Sequence, residues 1–431
     1  MKAGKVRENS NLTAALLTVI VLFAVSVLLT AFGYMVYNFY YKEKGIMTAD
    51  APVSWSVVSV TDTASPDTGS IEAMHETDIE LTQAIDRIAS SYGASAVQVA
   101  IIKNGTVVAY YQYGSKDKAH NELVMTDTVF RAASLSKLVD AMTVMKLCEE
   151  GKMDLDGNIE NYLGYKVRSK KYPDIIITPR MLMIHTSGLV DSDSFLKSRN
   201  RCSSVPLKKL LSQSSSFSKK PPGQAYIYSN FGVAVLAAAA EKKAGEPFYE
   251  YTEKELFKPL NITGSFLASR IEDSNSIACL YNTKGNPSYT VQRQLSEKCA
   301  NELGQTHHIY QGNLTISATD YAKLLCVLLN NGKSEEGQQI LSSESVDEIL
   351  KIQYQSEGTS CCLCNYISKT IVKGRTMHYH TGSNYGMYAS FAFDTSDSSG
   401  VVVLTSGAEA QKEPSGVYNI CGDIIRKIYI S

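Results

Sequence analysis

The sequence has almost no net charge and few cysteines, histidines or prolines, and each scarcity removes a class of protein. Lys and Arg number 42 against 43 Asp and Glu, a formal net charge of −1. That balance speaks against nucleic acid as the main partner. Nine cysteines in 431 residues are too few to build a disulfide scaffold. Their number is odd, so at least one thiol stays free or pairs between chains, and no Cys-x-x-Cys recurs at zinc-ribbon spacing. With 11 prolines and 28 glycines beside 44% hydrophobic residues, the bulk of the chain is globular, neither disordered nor fibrous. Seven histidines are sparse, and no repeat of roughly 20 to 50 residues is visible. Length allows two or three units of roughly 150 residues, or one large domain with appendages.

Charge is also missing from the whole of residues 12–37. At about 1.5 Å per residue this apolar run can span a bilayer core of about 30 Å. Lys2, Lys5 and Arg7 precede it, and Tyr34, Tyr37, Tyr40 and Tyr41 cluster at its far end, where amphipathic rings favour the headgroup level. A cleaved signal peptide would carry only about 7 to 15 apolar residues. The expectation is therefore a cytoplasmic tail (1–11), a transmembrane anchor (12–37) and a single-pass membrane protein with the remainder extracytoplasmic. Residues 42–77, rich in Ser, Thr, Asp, Ala and Pro, read as a flexible stalk. The folded domain is then 78–431.

Within it, Ile79, Leu81, Ile85 and Ile88 form a helical stripe, followed by strand-like runs over 96–103 and 106–113. Asn104-Gly105 between them is a strong hairpin signal. Near the other end 388–393 and 400–404 are strand-like and 420–428 helix-like, while 135–271 reads mostly helical.

Three short elements carry chemistry. Ser-x-x-Lys occurs at Ser115/Lys118, Ser134/Lys137, Ser194/Lys197 and Ser216/Lys219, so the pattern alone says little. Only Ser134 opens an apolar helical pattern, with Leu135, Leu138, Val139, Met142 and Met145 expected to form one face of an amphipathic helix; the other three sit in polar, loop-like stretches. Side chains three apart share a helix face, and a helix N-terminus favours a developing oxyanion. The plainer alternative is an N-cap serine beside a solvated lysine. Tyr228-Ser229-Asn230 is the sole Tyr-x-Asn, after Pro222-Gly223 and before an apolar helix. A phenol can relay a proton and an amide can hold a carbonyl or an amine; a buried tyrosine and a capping asparagine would look the same. His380-Thr381-Gly382, also unique, lies on a strand-like segment, and an edge strand with a glycine admits a substrate backbone. His378 and His380 share a strand face, but no third ligand stands near, so neither metal nor other cofactor is called for.

In this order the three elements resemble the serine β-lactamase and penicillin-binding superfamily, in its class C β-lactamase and D-alanyl-D-alanine carboxypeptidase branch. Intervening segments agree: 181–189, with His185-Thr186-Ser187-Gly188-Leu189, then Tyr228-Ser229-Asn230-Phe231-Gly232, Phe257-Lys258-Pro259-Leu260 and Gly312-Asn313-Leu314. The similarity covers roughly 79–431. It implies an α+β fold, an antiparallel sheet flanked by helices, built from both chain ends with an inserted helical subdomain. It implies Ser134 as acylated nucleophile, Lys137 as its base and Tyr228 as aid to the leaving group. Asn230, His380, Thr381, Gly382 and Ser383 would bind substrate, with the amides of Ser134 and Ser383 as oxyanion hole.

Two departures matter. Most β-lactamases of this kind have Lys-Thr-Gly where this chain has His380-Thr381-Gly382. Histidine there, found among the family's carboxypeptidases and esterases, argues against a dedicated β-lactamase, and its protonation is expected to strengthen binding of anionic substrates as pH falls. Cys361-Cys362-Leu363-Cys364 stands where relatives show Gly-x-Gly; a disulfide, a free thiol cluster and plain small strand residues are the alternatives, of which the last is preferred. The function implied is an anchored serine hydrolase acting on D-amino-acid peptides, cell-wall peptides or small esters and amides. The alternatives are a β-lactamase proper and a non-catalytic ligand-binding sensor. Partners would be a small peptide, ester or β-lactam substrate and, through the N-terminal helix, the membrane.

Overall fold

The computed structural model describes residues 76–199, 205–306 and 308–430. The expected tail and anchor, and the stalk as far as residue 75, lie outside them. No helix among the described residues is long and apolar enough to cross a membrane.

The first element is α1 (Glu76–Ser91), which begins two residues inside the segment expected as stalk. Strands β1 (Ala96–Lys103), β2 (Thr106–Asp117) and β3 (Glu122–Leu123) follow. A long helix-rich stretch comes next, with α2 (Ser136–Glu149), α3 (Asn230–Ala244) and α4 (Ala318–Leu329) as its longest helices. Six further strands complete the sheet: β4 (Tyr354–Ser356), β5 (Thr359–Cys362), β6 (Asn365–Ser368), β7 (Met377–Asn384), β8 (Met387–Asp394) and β9 (Ser399–Ser406). The last helix is α5 (Asn419–Ile430). The strand order is β3-β2-β1-β9-β8-β7-β6-β5-β4, antiparallel throughout. Elements from opposite ends of the described chain meet at its centre, where Ala96 pairs with Ser406 and Ile102 with Gly400.

Alternation along the strands sorts side chains to two faces. Val97, Val99, Ile101, Val401 and Val403 pack under α1 and α5, against Ile85, Ile420 and Ile424. Ala100, Ile102, Val402 and Leu404 face the larger core beneath α2, α3 and α4. Gln98, fully buried on that second face, donates to the carbonyls of Met125, Thr126 and Thr128 and accepts from the Ala318 amide at 2.7 Å. It ties the sheet to the start of α4.

Helix α2 departs from the sequence expectation. From Ser136 to Met145 it is buried on every side, polar Ser136, Lys137, Asp140 and Thr143 included, because it packs against both α3 and the Ser343–Leu350 helix. A helix so enclosed needs no polar face.

The Asn104-Gly105 turn is as the sequence indicates, with φ of 51° and 73°, the two positive values that a type I′ hairpin requires. Asn330 of the loop after α4 donates to the Gly105 carbonyl at 2.7 Å. A methyl group on Gly105 would lie 2.0 Å from the Asn330 Oδ1. Gly105→Ala should therefore lower unfolding free energy by about 1 to 3 kcal/mol. Urea titration measures this, and a loss below about 0.5 kcal/mol, within ordinary surface-substitution noise, would show that the turn relaxes freely.

Candidate active site

The site is built where the short strand Phe130–Arg131, paired with Thr315–Ile316, turns into α2. Ala133 holds a left-handed φ of 49°, a conformation that costs a non-glycine residue about 1 to 2 kcal/mol. The chain then makes a single 3₁₀ turn, Ala133–Leu135, before α2 proper begins at Ser136. Ser134 thus stands on the turn preceding the helix, half-buried. Three bonds hold that turn: Ser136 Oγ donates to the Ala133 carbonyl and accepts from the Leu314 amide, and the Tyr321 hydroxyl donates to the Leu135 carbonyl.

Lys137, with no solvent exposure, spends its three donors on Ser134 Oγ at 3.0 Å, Asn230 Oδ1 at 3.0 Å and the Gln311 carbonyl at 2.6 Å. The Tyr228 hydroxyl also donates to Ser134 Oγ, at 3.0 Å, and Lys137 Nζ lies 5.2 Å from the Tyr228 ring centre. One hydroxyl oxygen therefore receives an amine and a phenol.

Asn230 is the first residue of α3. Its Nδ2 donates to Asp191 at 2.7 Å, and the same carboxylate accepts the Phe231 amide at 2.8 Å and the Ser229 hydroxyl at 3.4 Å. A carboxylate at a helix N-terminus is favoured by the dipole; here it also fixes which end of the Asn230 amide faces Lys137. Behind Tyr228 lies His185, its ring centre 4.3 Å from the phenol's. Its Nδ1 accepts from the Ser229 amide, and burial drives its pKa well below the usual histidine value.

Strand β7 forms the opposite wall. A Cβ on Gly382 would lie 2.6 Å from the Ala132 carbonyl oxygen and 3.1 Å from the Ser134 amide nitrogen, so only glycine lets this strand reach the nucleophile turn. The edge expected here exists over half the strand. Residues 377–379 pair with β6, whereas beyond Tyr379 that flank is open while β8 continues along the other. Thr381 is half-buried and Ser383 exposed along this open part.

The sequence reading of His380 is corrected. The residue is buried, 2% exposed, with its ring against Tyr366 and Phe391 and its Nδ1 at 2.8 Å from the Thr381 carbonyl. Burial, then the charge of Lys137, lowers its pKa to about 3. It is neutral near pH 7 rather than titrating there as expected, and it lines the larger cleft with Ser134 and Thr381. His378 is likewise buried, bonded to Asn365 Oδ1 and stacked on Phe393, with a pKa lowered to about 4 by burial.

Of the other Ser-x-x-Lys pairs, Ser115 lies in β2, Ser216 ends a 3₁₀ turn, and Ser194 with Lys197 falls in the short helix Asp193–Arg199, not in the loop expected. Cys361 and Cys362 are buried strand residues and Cys364 fills the turn after them.

Sequence reasoning missed Asp191, the Gln311 carbonyl and Asp140. Asp140 lies one turn beyond Lys137, wholly buried, with no partner for either oxygen among the described residues, and burial raises its pKa well above the carboxylate range. Asp191 follows the His185-to-Leu189 segment, and nothing in its local context marks it.

Two clefts flank Ser134. The larger, about 500 Å³, includes Tyr226, Tyr228, Tyr379, Thr381 and Tyr418 in its lining. The smaller, about 170 Å³, includes Arg131, Glu297, Gln311, Asn313 and Asn384. A nucleophile hydroxyl bonded to an amine and a phenol, at the junction of two clefts and beside an open strand edge, is suited to acyl transfer.

The buried histidines His185, His378 and His380 have a thermodynamic consequence. The unfolded chain protonates them near pH 6.5 and the native chain does not. The stability they contribute is complete above that pH and declines as pH falls towards 4. The expected slope is on the order of 1.4 kcal/mol per pH unit for each histidine. Denaturation of wild type and His378→Gln between about pH 7 and pH 4.5, a range below the reference histidine pKa for most of its length, should give a shallower slope in the variant. Parallel slopes would mean that His378 becomes charged in the native state.

Residues 81–420 match the family model described as Beta-lactamase. Among curated proteins, the D-alanyl-D-alanine-carboxypeptidase/endopeptidase AmpH of Escherichia coli K12 is 28% identical over 185 residues, 41% of this chain and 48% of that protein. The chain spans about half the length of curated relatives it matches. Among solved structures, the octameric penicillin-binding protein homologue from Pyrococcus abyssi has a TM-score of 0.64 at 21% identity, over 81% of this chain and 77% of that one. A β-lactamase/D-alanine carboxypeptidase from Pseudomonas syringae has a TM-score of 0.62 at 17% identity, over 82% and 98%.

Proposed function

Since the chain belongs to the Beta-lactamase family, we propose that it is a serine acyl hydrolase acting on D-amino-acid peptides or related small amides and esters. The observation behind this reading is the double hydrogen bond to Ser134 Oγ from Lys137 and Tyr228, at 3.0 Å each.

In the reaction proposed, Ser134 Oγ bonds to the substrate carbonyl carbon while its proton passes to Lys137 Nζ, acting as base. The carbonyl electron pair moves onto oxygen, where the backbone amides of Ser134 and Ser383 receive it. When the pair returns, the bond to the leaving nitrogen or oxygen breaks. That atom takes a proton from Tyr228, which is reprotonated from Lys137. Water then attacks the resulting ester, releases the acid and restores the Ser134 hydroxyl. Because Tyr228 lines the larger cleft, the leaving group lies there and the acyl portion lies in the smaller one. Asp191 holds the Asn230 amide so that its oxygen faces Lys137 and is a positioning residue.

The similarity to a carboxypeptidase/endopeptidase, together with a neutral histidine on β7, favours peptide turnover over a dedicated β-lactamase. We also assign residues 12–37 as a single-pass anchor that places the hydrolase outside the cytoplasm; the support is the uncharged length of that run.

A fluorescent penicillin or fluorophosphonate should label the wild type and not Ser134→Ala. Lys137→Ala should slow labelling by about 10³-fold and Tyr228→Phe by about 10²-fold, the range of positioned acid and base groups. Equal labelling of Ser134→Ala would end the serine-hydrolase reading. On fractionation, the full chain should remain with membranes through a carbonate wash. Release by that wash would refute the anchor.

A further inference from the structure

The larger cleft contains a single formally charged lining residue, Lys412, and no Asp or Glu among the described residues that line it. The smaller cleft, by contrast, carries charges of both signs in Arg131 and Glu297. Lys412 is exposed, and it belongs to the segment between β9 and α5, not to the sheet.

That segment is braced. Lys412 bridges to Tyr418 in antiparallel fashion. The Glu413 amide donates to the Val417 carbonyl at 2.8 Å, and the Asn419 amide to the Gln411 carbonyl at 2.9 Å. The neighbouring acid, Glu413, is committed elsewhere, pairing with Arg426 at 2.8 Å and 3.0 Å, so it does not neutralise Lys412. Tyr418 packs on Tyr388 and lines the larger cleft together with Ser383, on the open edge of β7. Lys412, on a braced backbone, therefore lines the same cleft as Thr381 and Ser383. It also bears on the charge of His380, helping to keep that ring neutral.

We propose that Lys412 is the residue that recognises a carboxylate on the leaving group, in place of the strand histidine. This rests on the hydrolase reading above, in which the leaving group occupies the larger cleft. A substrate would set its leaving-group carboxylate towards Lys412, with hydroxyl donors on the β7 edge completing the contact. The preferred class is then peptides and depsipeptides that end in a free carboxylate immediately beyond the scissile bond, over the same acyl groups with an amidated or esterified end. Because the contact is a charge at an exposed cleft mouth, the preference weakens with added salt.

The test compares two depsipeptides that share an acyl group, one with a free carboxylate on the leaving alcohol and one with that carboxylate methylated. The readout is the ratio of their kcat/KM values. Wild type should favour the anionic member, Lys412→Gln should lower the ratio by about tenfold, and Lys412→Arg should keep it within about twofold of wild type. A companion titration uses Ser134→Ala, which binds without turnover, against an acyl-D-alanyl-D-alanine and its C-terminal amide. The same loss on adding Lys412→Gln supports the assignment. A ratio unchanged in Lys412→Gln, or no anionic preference in wild type, overturns it. Failure of the hydrolase reading shows itself separately, as turnover of either depsipeptide that survives in Ser134→Ala.

Discussion

A lysine amine removed entirely from water must find a hydrogen-bond acceptor for each of its protons, and Lys137 finds one in each of three separate pieces of the chain. Ser134 is supplied by the turn before its own helix, Asn230 by the start of α3, and Gln311 by the loop ahead of α4. The rest of the site answers to that requirement. The α3 N-terminus must sit beside the α2 N-terminus, which is why both helices are buried along most of their length and why Asp191 is needed to fix the Asn230 amide. The serine is not placed by its own helix alone; it is one of three acceptors gathered around an amine.

The second constraint is in the backbone. Ala133 is held in a left-handed conformation and Gly382 passes within contact distance of the peptide groups on either side of it. Sheet and nucleophile turn are thus in register without an intervening side chain. A strand paired on one flank and open on the other past Tyr379 leaves its unpaired peptide groups facing the cleft rather than bulk solvent.

Much of this architecture is legible in the sequence. The Asn104-Gly105 turn, the alternation in β1 and β9 and the late helical stripe of α5 are local patterns, and local patterns survive translation into structure. The three chemical motifs were identifiable from their order, and the structure brings Ser134, Lys137, Tyr228 and Asn230 within mutual reach. What escaped notice depends on partners far away in the chain. The solvent exclusion of α2 comes from helices some hundred and two hundred residues later. The neutrality of His380 is imposed by Tyr366 and Phe391, on either neighbouring strand, and by Lys137 from another part of the fold. Asp191 and Lys412 stand in segments whose composition is that of an ordinary polar surface.

The buried thiols add a temporal dimension. Cys361, Cys362 and Cys364 are 1 to 2% exposed, and burial pushes the first two up to about 12 and the third higher still. A thiol in that state holds almost no thiolate at neutral pH and is chemically silent. Silence lasts only as long as the fold is closed. Each global opening releases several thiols at once, two of them adjacent in sequence, into whatever oxidant surrounds the chain. In an oxidising medium the first wrong disulfide formed in that interval blocks the return path. The working lifetime of the molecule there is a clock set by the rate of unfolding where oxidation outruns refolding, and by the depth of the folded well where refolding is the faster.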